Sequence, residues 1–431
     1  MIPDPGGIAT ERGAMPTDTA QPLESVARTA SETQTLVAVS AAHLLSHFYI
    51  MVLPVLLPLL KDRLGVTYLD LGLALTTFNV VTGFTQAPMG FLVDKIGARP
   101  ILICGLVFGS LSFLSLGLIT TYPWLLAVAV LAGLANCVYH PADYAMLADG
   151  ISEHRIGRAF SVHTFAGFLG GAIAPVILLT VAGYGGLETA LVCAGFIGLA
   201  TAALFLLPSQ QASASRSRAA RAAVGPAKES LGSIVTPEVL GLTAFFTLLA
   251  LSNSAIFSFS VVALIAAHEV SFAAANIALT AYLGCTAIGV LAGGALADKT
   301  RHHGDVAAVG FGLAALVMLL VAVLDLPAPA LILAMGLSGF IFGLVQPARD
   351  MLVRRAAPPG SAGRVFGIVS TGFNIGGTVG PILFGWMMDH GEPRWVFGAA
   401  VIFMAMTATF GLFEERRGGR RSHSPHVRGE D

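Results

Sequence analysis

The sequence predicts an all-helical integral membrane protein with twelve transmembrane helices in two six-helix bundles related by pseudo-symmetry. Composition gives the first indication: 55% of the 431 residues are hydrophobic, 11% are charged, and the mean hydropathy is +0.78. A soluble domain carries about 25% charged residues. The second indication is a series of apolar runs, each near the ~20 residues that a helix needs to cross a bilayer. The third is an internal repeat.

The internal repeat places the same landmarks in both halves of the chain. Pro141 corresponds to Pro347 and Gly157 to Gly363, each pair separated by 206 residues. The same offset relates two glycine pairs and the prolines that follow them, although Ala174 stands where the second copy has Gly380. Such segments form thin helices that bend easily. We therefore predict two gating helices with these residues: Gly170, Gly171, Pro175, Gly376, Gly377, Gly380 and Pro381.

The elements follow in order along the chain. Residues 1–35 are polar and are predicted to be a disordered cytoplasmic tail. The N-terminal bundle, 36–207, contains predicted spans at 36–60, 69–93, 100–119, 122–147, 157–181 and 187–207. A basic, serine-rich linker at 208–237 separates it from the C-terminal bundle, 238–413. The spans of that bundle are predicted at 238–267, 273–297, 305–325, 328–352, 363–388 and 394–413, followed by a basic tail at 414–431.

The distribution of lysine and arginine predicts the orientation in the membrane. If the N-terminus is cytoplasmic, only Lys61, Arg63 and Arg394 of the 24 Lys and Arg residues fall on the outer side. Cytoplasmic loops of membrane proteins carry the excess of these cations. We therefore expect a multi-pass protein of the inner (cytoplasmic) membrane with both termini and the central linker in the cytoplasm.

Two loops repeat a glycine four residues before an Asp-Lys pair. The first contains Gly90, Asp94, Lys95, Gly97 and Arg99, and the second contains Gly294, Asp298, Lys299 and Arg301. These loops resemble the signature loop of the major facilitator superfamily, with Ala98 in place of one basic residue and the later glycine missing from the second copy. The resemblance implies a cytoplasmic latch of the outward-facing state. Glycine would allow two helices to approach closely, and aspartate would cap a neighbouring helix.

A narrower resemblance involves the first and fourth helices. The run His43-Leu-Leu-Ser-His47, with Pro58 fifteen residues after His43, resembles the opening of fosmidomycin-resistance-type exporters. Val138-Tyr-His140-Pro141 is similar to their fourth helix. His47 stands where that pattern has an aspartate, so this sequence lacks the carboxylate that the resemblance would assign to proton coupling.

Ionisable residues at membrane depth mark solute or ion pathways. His43 and His47 are four residues apart on one helical face, roughly 10 and 16 Å below the start of the span at 36. Histidine changes charge near neutral pH, which suits proton coupling or anion binding. The alternative is two neutral histidines bonded within the bundle. Asn253 is the nearest polar residue at a comparable place in the second half, and we predict that it lines the same cavity.

Other polar residues lie near the cytoplasmic ends of the helices. His140 and His163 are close enough along the repeat to face each other, for function or for structural hydrogen bonding. Asp143 and Arg349 occupy equivalent repeat positions with opposite charge. We predict an ion pair between the halves that closes the cytoplasmic mouth, with two separately solvated charges as the alternative.

Several activities are excluded by motif. The chain has no nucleotide phosphate loop, no H-E-x-x-H or paired-cysteine metal motif and no nucleophile elbow, so we expect neither an enzyme nor a cofactor nor a metal site. A net charge of −1 gives no nucleic-acid signal. The family resemblance implies a monomeric secondary transporter that moves a small organic solute by alternating access, with proton-coupled efflux favoured. The alternatives are uptake of an organic anion by symport or facilitation, and a sensor or scaffold that does not transport.

Overall fold

The computed structural model describes residues 20–206, 236–357 and 362–422, and these residues form helices without any strand. Thirteen α-helices follow one another in the described chain. They are α1 (Ala20–Leu64), α2 (Tyr68–Ile96), α3 (Ala98–Leu118), α4 (Tyr122–Asn136), α5 (Tyr139–Gly150), α6 (Glu153–Leu204), α7 (Pro237–Ser254), α8 (Ser260–His268), α9 (Phe272–Lys299), α10 (His303–Val323), α11 (Ala328–Ala356), α12 (Ala362–Asp389) and α13 (Pro393–Ser422). The prediction of an all-helical membrane fold is confirmed.

Ten stretches of the described helices are long and apolar enough to cross a membrane. One of them, Arg155–Leu204, has 50 residues and contains two passes, because the chain turns back at Gly186. The helix α2 is not among the ten, yet it runs beside α12 through the centre of the molecule. With the second pass of Arg155–Leu204 and with α2, the described chain makes twelve helical passes. Most predicted spans lie within a few residues of the observed helices.

Gly186 separates the two legs of α6. Its backbone has φ of 81° and ψ of 179°, a conformation that favours glycine. Before this residue, Gly170 packs against Leu44 of α1, and after it Glu188 pairs with Arg63 near the other end of α1. The second leg then returns, since the carbonyl of Ala194 accepts a hydrogen bond from Tyr49 at 3.3 Å. The two legs are therefore antiparallel.

Two of the predicted continuous spans are interrupted. The fourth span ends at Asn136 and resumes at Tyr139, because Pro141 has no N–H to donate to the carbonyl of Cys137. In the seventh span, one π-helical segment, Ala255–Phe259, joins α7 to α8. Inserted π-turns of this kind bend a helix and are frequent at functional sites. Neither interruption is visible in the hydrophobic pattern.

The first and last helices extend beyond the predicted spans into the tails, of which 1–35 is predicted to be disordered and 414–431 to be a basic cytoplasmic tail. The helix α1 begins at Ala20, and Glu32 accepts a 3.0 Å charge-assisted hydrogen bond from Arg155 of α6. A paired carboxylate explains why a polar segment continues the helix. At the other end, α13 continues to Ser422. Residues 1–19, 207–235 and 423–431 lie outside the described residues, as does most of the predicted linker.

The two halves, α1–α6 and α7–α13, meet along α2 and α12 and along α6 and α9. We call the face with Gly65, Gly186 and Gly391 distal, and the opposite face, with Gly97 and Thr300, proximal. From the distal end inward, Thr76 donates a hydrogen bond to the carbonyl of Thr378 at 2.7 Å. A Cβ added at Gly83 would lie 3.0 Å from Asn374, whereas one added at Gly90, nearer the proximal face, would meet nothing within 4 Å. The halves are thus closed distally and separated proximally.

The glycine pair of the first repeat gives a matched test of helix packing. A Cβ at Gly170 would collide with the Leu44 carbonyl, while one at Gly171 would lie 3.9 Å from Met51, an ordinary contact. We expect Gly170→Ala to lower the midpoint of thermal unfolding, with an overpacking cost of about 1–3 kcal/mol. Gly171→Ala should leave it unchanged or slightly raised, since alanine favours helix. Equal effects of the two substitutions would contradict the packing.

Candidate functional site

A cluster of four histidines and one aspartate lies between α1, α5 and α6. The ring centroids of His43 and His163 are 3.8 Å apart and the rings are stacked, while His47 and His140 lie 4.8 and 5.4 Å from His43. Asp143 completes the cluster. It lies seven residues before the end of α5 at Gly150, hence about 10 Å from the proximal end of that helix.

Asp143 lies beside two of the four histidines. One of its carboxylate oxygens, Oδ2, lies 3.4 Å from Nδ1 of His43 and 3.8 Å from Nε2 of His163. The aspartate is completely buried, and both histidines are at least 95% buried. The three side chains come from three different helices, so only the packing of those helices brings them together.

The other two histidines face the space between the halves. His140 is exposed and His47 is partly exposed, although both lie among helices. Tyr144, one turn after His140, is 48% exposed and stands 6.0 Å from the ring of His163. The buried cluster therefore borders a polar wall that solvent reaches, which is the arrangement expected of a pathway for a solute or an ion.

The predicted pairing of Asp143 with Arg349 is not present in this conformation. Arg349 donates two hydrogen bonds to Asp350, at 2.9 and 2.7 Å, and its guanidinium lies 5.1 Å from the centre of the Phe246 ring. Asp143 instead faces His43 and His163. Asp143 is completely buried within the first half, whereas Arg349 contacts residues of the second half, so the two side chains do not meet in this conformation.

The remaining predicted pathway residue, Asn253, lies in α7 two residues before the π-helical segment. Its side chain is half buried, and its Oδ1 atom is buried without a hydrogen-bond partner. The structure thus places an unpartnered amide oxygen beside a helix irregularity, without bringing it to the histidines. Its predicted role in lining the same cavity stays a prediction.

Four of the predicted gating-helix glycines, one in the first repeat and three in the second, lie at close helix contacts. An added Cβ at Gly376 would meet Ala250, and one at Gly377 would lie 3.1 Å from Asn79 of the other half. A Cβ at Gly380 would collide with Ser254, and the Pro381 carbonyl lies against Gly72. Pro175 stays within the first leg of α6. Close contact, rather than bending, is what these glycines provide here.

The two signature-like loops lie at the proximal face. Gly97, which joins α2 to α3, has φ of 114°, a backbone conformation that favours glycine. Asp94 and Lys95 are exposed, and Arg99 donates to the carbonyl of Phe205. A Cβ at Gly90 would meet nothing within 4 Å, so this glycine makes no close helix contact in this conformation. Its predicted packing role in the latched state stays a prediction.

The second loop is described in part. A Cβ at Gly294 would meet nothing within 4 Å, as at the first glycine of the other loop. Lys299 and Arg301 are exposed, and the carbonyl of Arg301 accepts a hydrogen bond from Arg355 at 3.1 Å. The side chain of Asp298 lies outside the described residues. The predicted latch function of both loops stays a prediction.

Sequence reasoning found the four histidines but missed that Asp143 lies beside two of them, His43 and His163. Asp143 follows His140 by three residues, which places both on one face of α5, and this spacing was the available signal. Tyr144 was missed altogether. Nothing in the sequence indicates that α1, α5 and α6 converge, so the cluster needs the tertiary structure.

Comparisons with known proteins agree with this architecture. The family model described as Major Facilitator Superfamily matches residues 39–266 and 243–429. A structure of a bacterial homolog to the human lysosomal transporter Spinster, in an inward-facing and unoccupied conformation, superposes with a TM-score of 0.75 at 15% identity. That match covers 92% of this chain and 99% of the other.

Similar sequences occur among curated proteins. The multidrug resistance protein MdtH of Enterobacter sp. (strain 638) is 24% identical over 391 residues, covering 86% of this chain and 91% of that protein. The fosmidomycin resistance protein of Escherichia coli (strain K12) is 26% identical over 170 residues, and this match spans 38% of this chain and only 42% of that protein. Since the family model covers both halves, and twelve helical passes in two halves form the fold, the chain belongs to the Major Facilitator Superfamily of membrane transporters.

Proposed function

We propose that this protein is a secondary active transporter that exports a small organic solute in exchange for protons, by alternating access across the cytoplasmic membrane. The observation that carries the proposal is the buried His43–Asp143–His163 cluster on the wall of the proximal opening. Ionisable groups inside a membrane domain are costly, and proton relays in transporters are built from such side chains. The two halves would rock about the cluster, opening it to each side in turn.

The proposed direction of transport and the proposed orientation of the protein in the membrane are supported by different observations. The relatives named for multidrug and fosmidomycin resistance favour export. Of the Lys and Arg residues that the structure describes, Lys61, Arg63 and Arg394 alone lie at the distal ends of helices, so the proximal face would be cytoplasmic and would hold both termini and the linker. The distally closed form described here would then be inward-facing, and the signature-like loops would latch the proximal face in the opposite state.

The proposed bundles and linker are those that the sequence predicts. Residues 36–207 and 238–413 would form the two bundles of a monomeric carrier, and 208–237 would join them in the cytoplasm. The solute would occupy the space between the bundles. On the side of the first half, this space would be lined by His47, His140 and Tyr144. Arg349 would stand on the wall contributed by the second half.

Proton flux in proteoliposomes tests this function. A pH-sensitive dye reports proton movement on addition of phosphonate antibiotics, amphipathic drugs or small carboxylates. We expect one class to evoke a signal in the wild-type protein. The double variant His43→Gln, His47→Gln should reduce that signal to the level of empty liposomes, because it removes two of the imidazoles that border the pathway. His390→Gln, at an exposed distal position, should retain it.

The sign of the signal separates the candidate functions. Proton movement opposite to the solute supports exchange, whereas movement in the same direction would support the uptake of an organic anion, for which Arg349 is the favourable observation. A double variant with full activity would exclude the cluster from coupling. Silence across the panel, with labelled compounds also failing to move, would favour the sensor or scaffold alternative.

A further inference from the structure

We propose that His43, Asp143 and His163 bind a divalent transition-metal ion of the zinc class. The proposal goes beyond transport and does not depend on it, because metal binding can be measured on the purified protein without any flux. The sequence motifs predicted no metal site, since the three side chains come from three helices and no short spacing encodes them.

The geometry of the three side chains fits a metal ion. One donor atom from each lies within 4.8 Å of the other two: Nδ1 of His43, an oxygen of Asp143 and a ring nitrogen of His163. Ligands that bind zinc at about 2.0–2.2 Å are separated from one another by about 3.3–3.6 Å in a tetrahedral site. The separations of 3.4 and 3.8 Å from the carboxylate oxygen are close to this value. The stacked rings of His43 and His163 would turn to place one nitrogen of each toward the ion, because imidazole binds a metal in the plane of its ring.

The donor atoms also lack other partners. Nδ1 of His43, both carboxylate oxygens of Asp143 and both ring nitrogens of His163 are buried without a hydrogen bond in the described structure. The side chains themselves are 5%, 0% and 1% exposed. Burying a polar group without a partner costs free energy, and a buried carboxylate requires pairing or a metal ion. A cation between the three residues would satisfy these atoms together.

The chemistry of the donors selects the class of ion. Two imidazoles and one carboxylate suit zinc and the neighbouring first-row metals, whereas magnesium and calcium prefer oxygen ligands. Sites with three protein ligands keep positions open for water or another molecule. Here His47 and His140 stand beside the cluster on its exposed side. The open positions of the ion would therefore face the space between the two halves.

Metal binding should be measured on full-length protein purified in detergent through an affinity tag that contains no histidine. We expect Zn²⁺ to compete with a chromophoric chelator at a stoichiometry of one per chain above any binding by surface histidines, and Mg²⁺ not to compete. Co²⁺ in the same site should give visible absorption bands. His163→Gln and Asp143→Asn should each weaken Zn²⁺ binding at least about tenfold, since even losing a group that only supports a ligand costs 10–100-fold.

Two further variants keep the test decisive. His268→Gln removes an imidazole in the second half that is likewise without a hydrogen-bond partner, so it should bind Zn²⁺ as the wild type does. His163→Cys replaces a nitrogen donor by a thiolate, which should retain metal binding and shift the preference to Cd²⁺, with thiolate-to-metal absorption in the ultraviolet. The four native cysteines are replaced in this experiment, so that the absorption reports the introduced thiolate alone.

Two results would overturn the proposal. The first is wild-type protein that binds no Zn²⁺ above the Mg²⁺ control. The second is equal Zn²⁺ binding and equal Co²⁺ spectra in the wild type, His163→Gln and Asp143→Asn. Both results leave the proton-flux experiment unaffected, so failure of the metal site is distinguishable from failure of the transport function.

Discussion

Gly72→Ala should nearly abolish transport while leaving the protein folded. A Cβ at this position of α2 would collide with the carbonyl of Pro381 in α12, the contact along which the two halves close distally. Overpacking costs about 1–3 kcal/mol, and here it falls on the distally closed state alone. The population of that state relative to the distally open one should therefore fall about 5–150-fold.

The change of population can be followed by the distance between two spin labels. Tyr184 and Trp395 are exposed at the distal ends of the first and second halves and can carry the labels in a background without native cysteines. We expect longer distances in Gly72→Ala than in the unsubstituted protein. Gly312→Ala is the control, since α10 packs against α11 and α13 of its own half and the added Cβ meets nothing within 4 Å. An unchanged distance distribution in Gly72→Ala would show that α2 and α12 separate without this contact.

Asp389→Asn should shift the same equilibrium for an electrostatic reason. The carboxylate of Asp389, at the end of α12, accepts hydrogen bonds from the backbone N–H groups of Tyr68 and Leu69 at 2.9 and 2.7 Å. One half thus caps the first turn of α2 in the other half. Hydrogen bonds to charged groups contribute about 1.5–3 kcal/mol to stability. The attraction between a negative charge and a helix N-terminus adds to this stabilisation. Asparagine keeps one acceptor oxygen and loses the charge.

We expect Asp389→Asn to lower the distally closed population about tenfold, which corresponds to about 1.4 kcal/mol. The same pair of spin labels measures it. Glu392→Gln removes an exposed carboxylate three residues further along the same turn and should have no effect. High salt should reduce the difference between the wild type and Asp389→Asn, because exposed charge interactions are screened. An equal shift in Glu392→Gln would indicate a general surface-charge effect and contradict a specific cap.

The fold could be predicted because a membrane limits what a backbone can do. Within the bilayer core each span must be a helix of about twenty apolar residues, so hydropathy alone locates it. The predicted span at 305–325 corresponds to the helix His303–Val323, and that at 328–352 to the helix Ala328–Ala356. Hydropathy carries no information on breaks such as that before Pro141, or on polar extensions held by an ion pair such as Glu32 with Arg155.

The site could be predicted only in part. Histidines four residues apart on one helix, as His43 and His47 are, share a face in any packing, so that pair was found. The partner of His43 depends on how α1 meets α5, which sequence spacing does not determine. The repeat gave a correct equivalence between Asp143 and Arg349, but equivalent positions need not touch, and in this conformation each finds its partners in its own half.

That equivalence has a consequence for how the two halves divide their tasks. In the first half, Asp143 faces an imidazole on the opening helix; at the repeated position, Arg349 faces the Phe246 ring on the opening helix of the second half. One framework thus holds an acidic group against a basic ring in one copy and a basic group against an apolar ring in the other. The two halves can therefore be compared by exchanging them. A chimera with two copies of the first half would offer two of the proposed cation sites and no guanidinium at this position. A chimera with two copies of the second half would offer two guanidinium groups and no cation site.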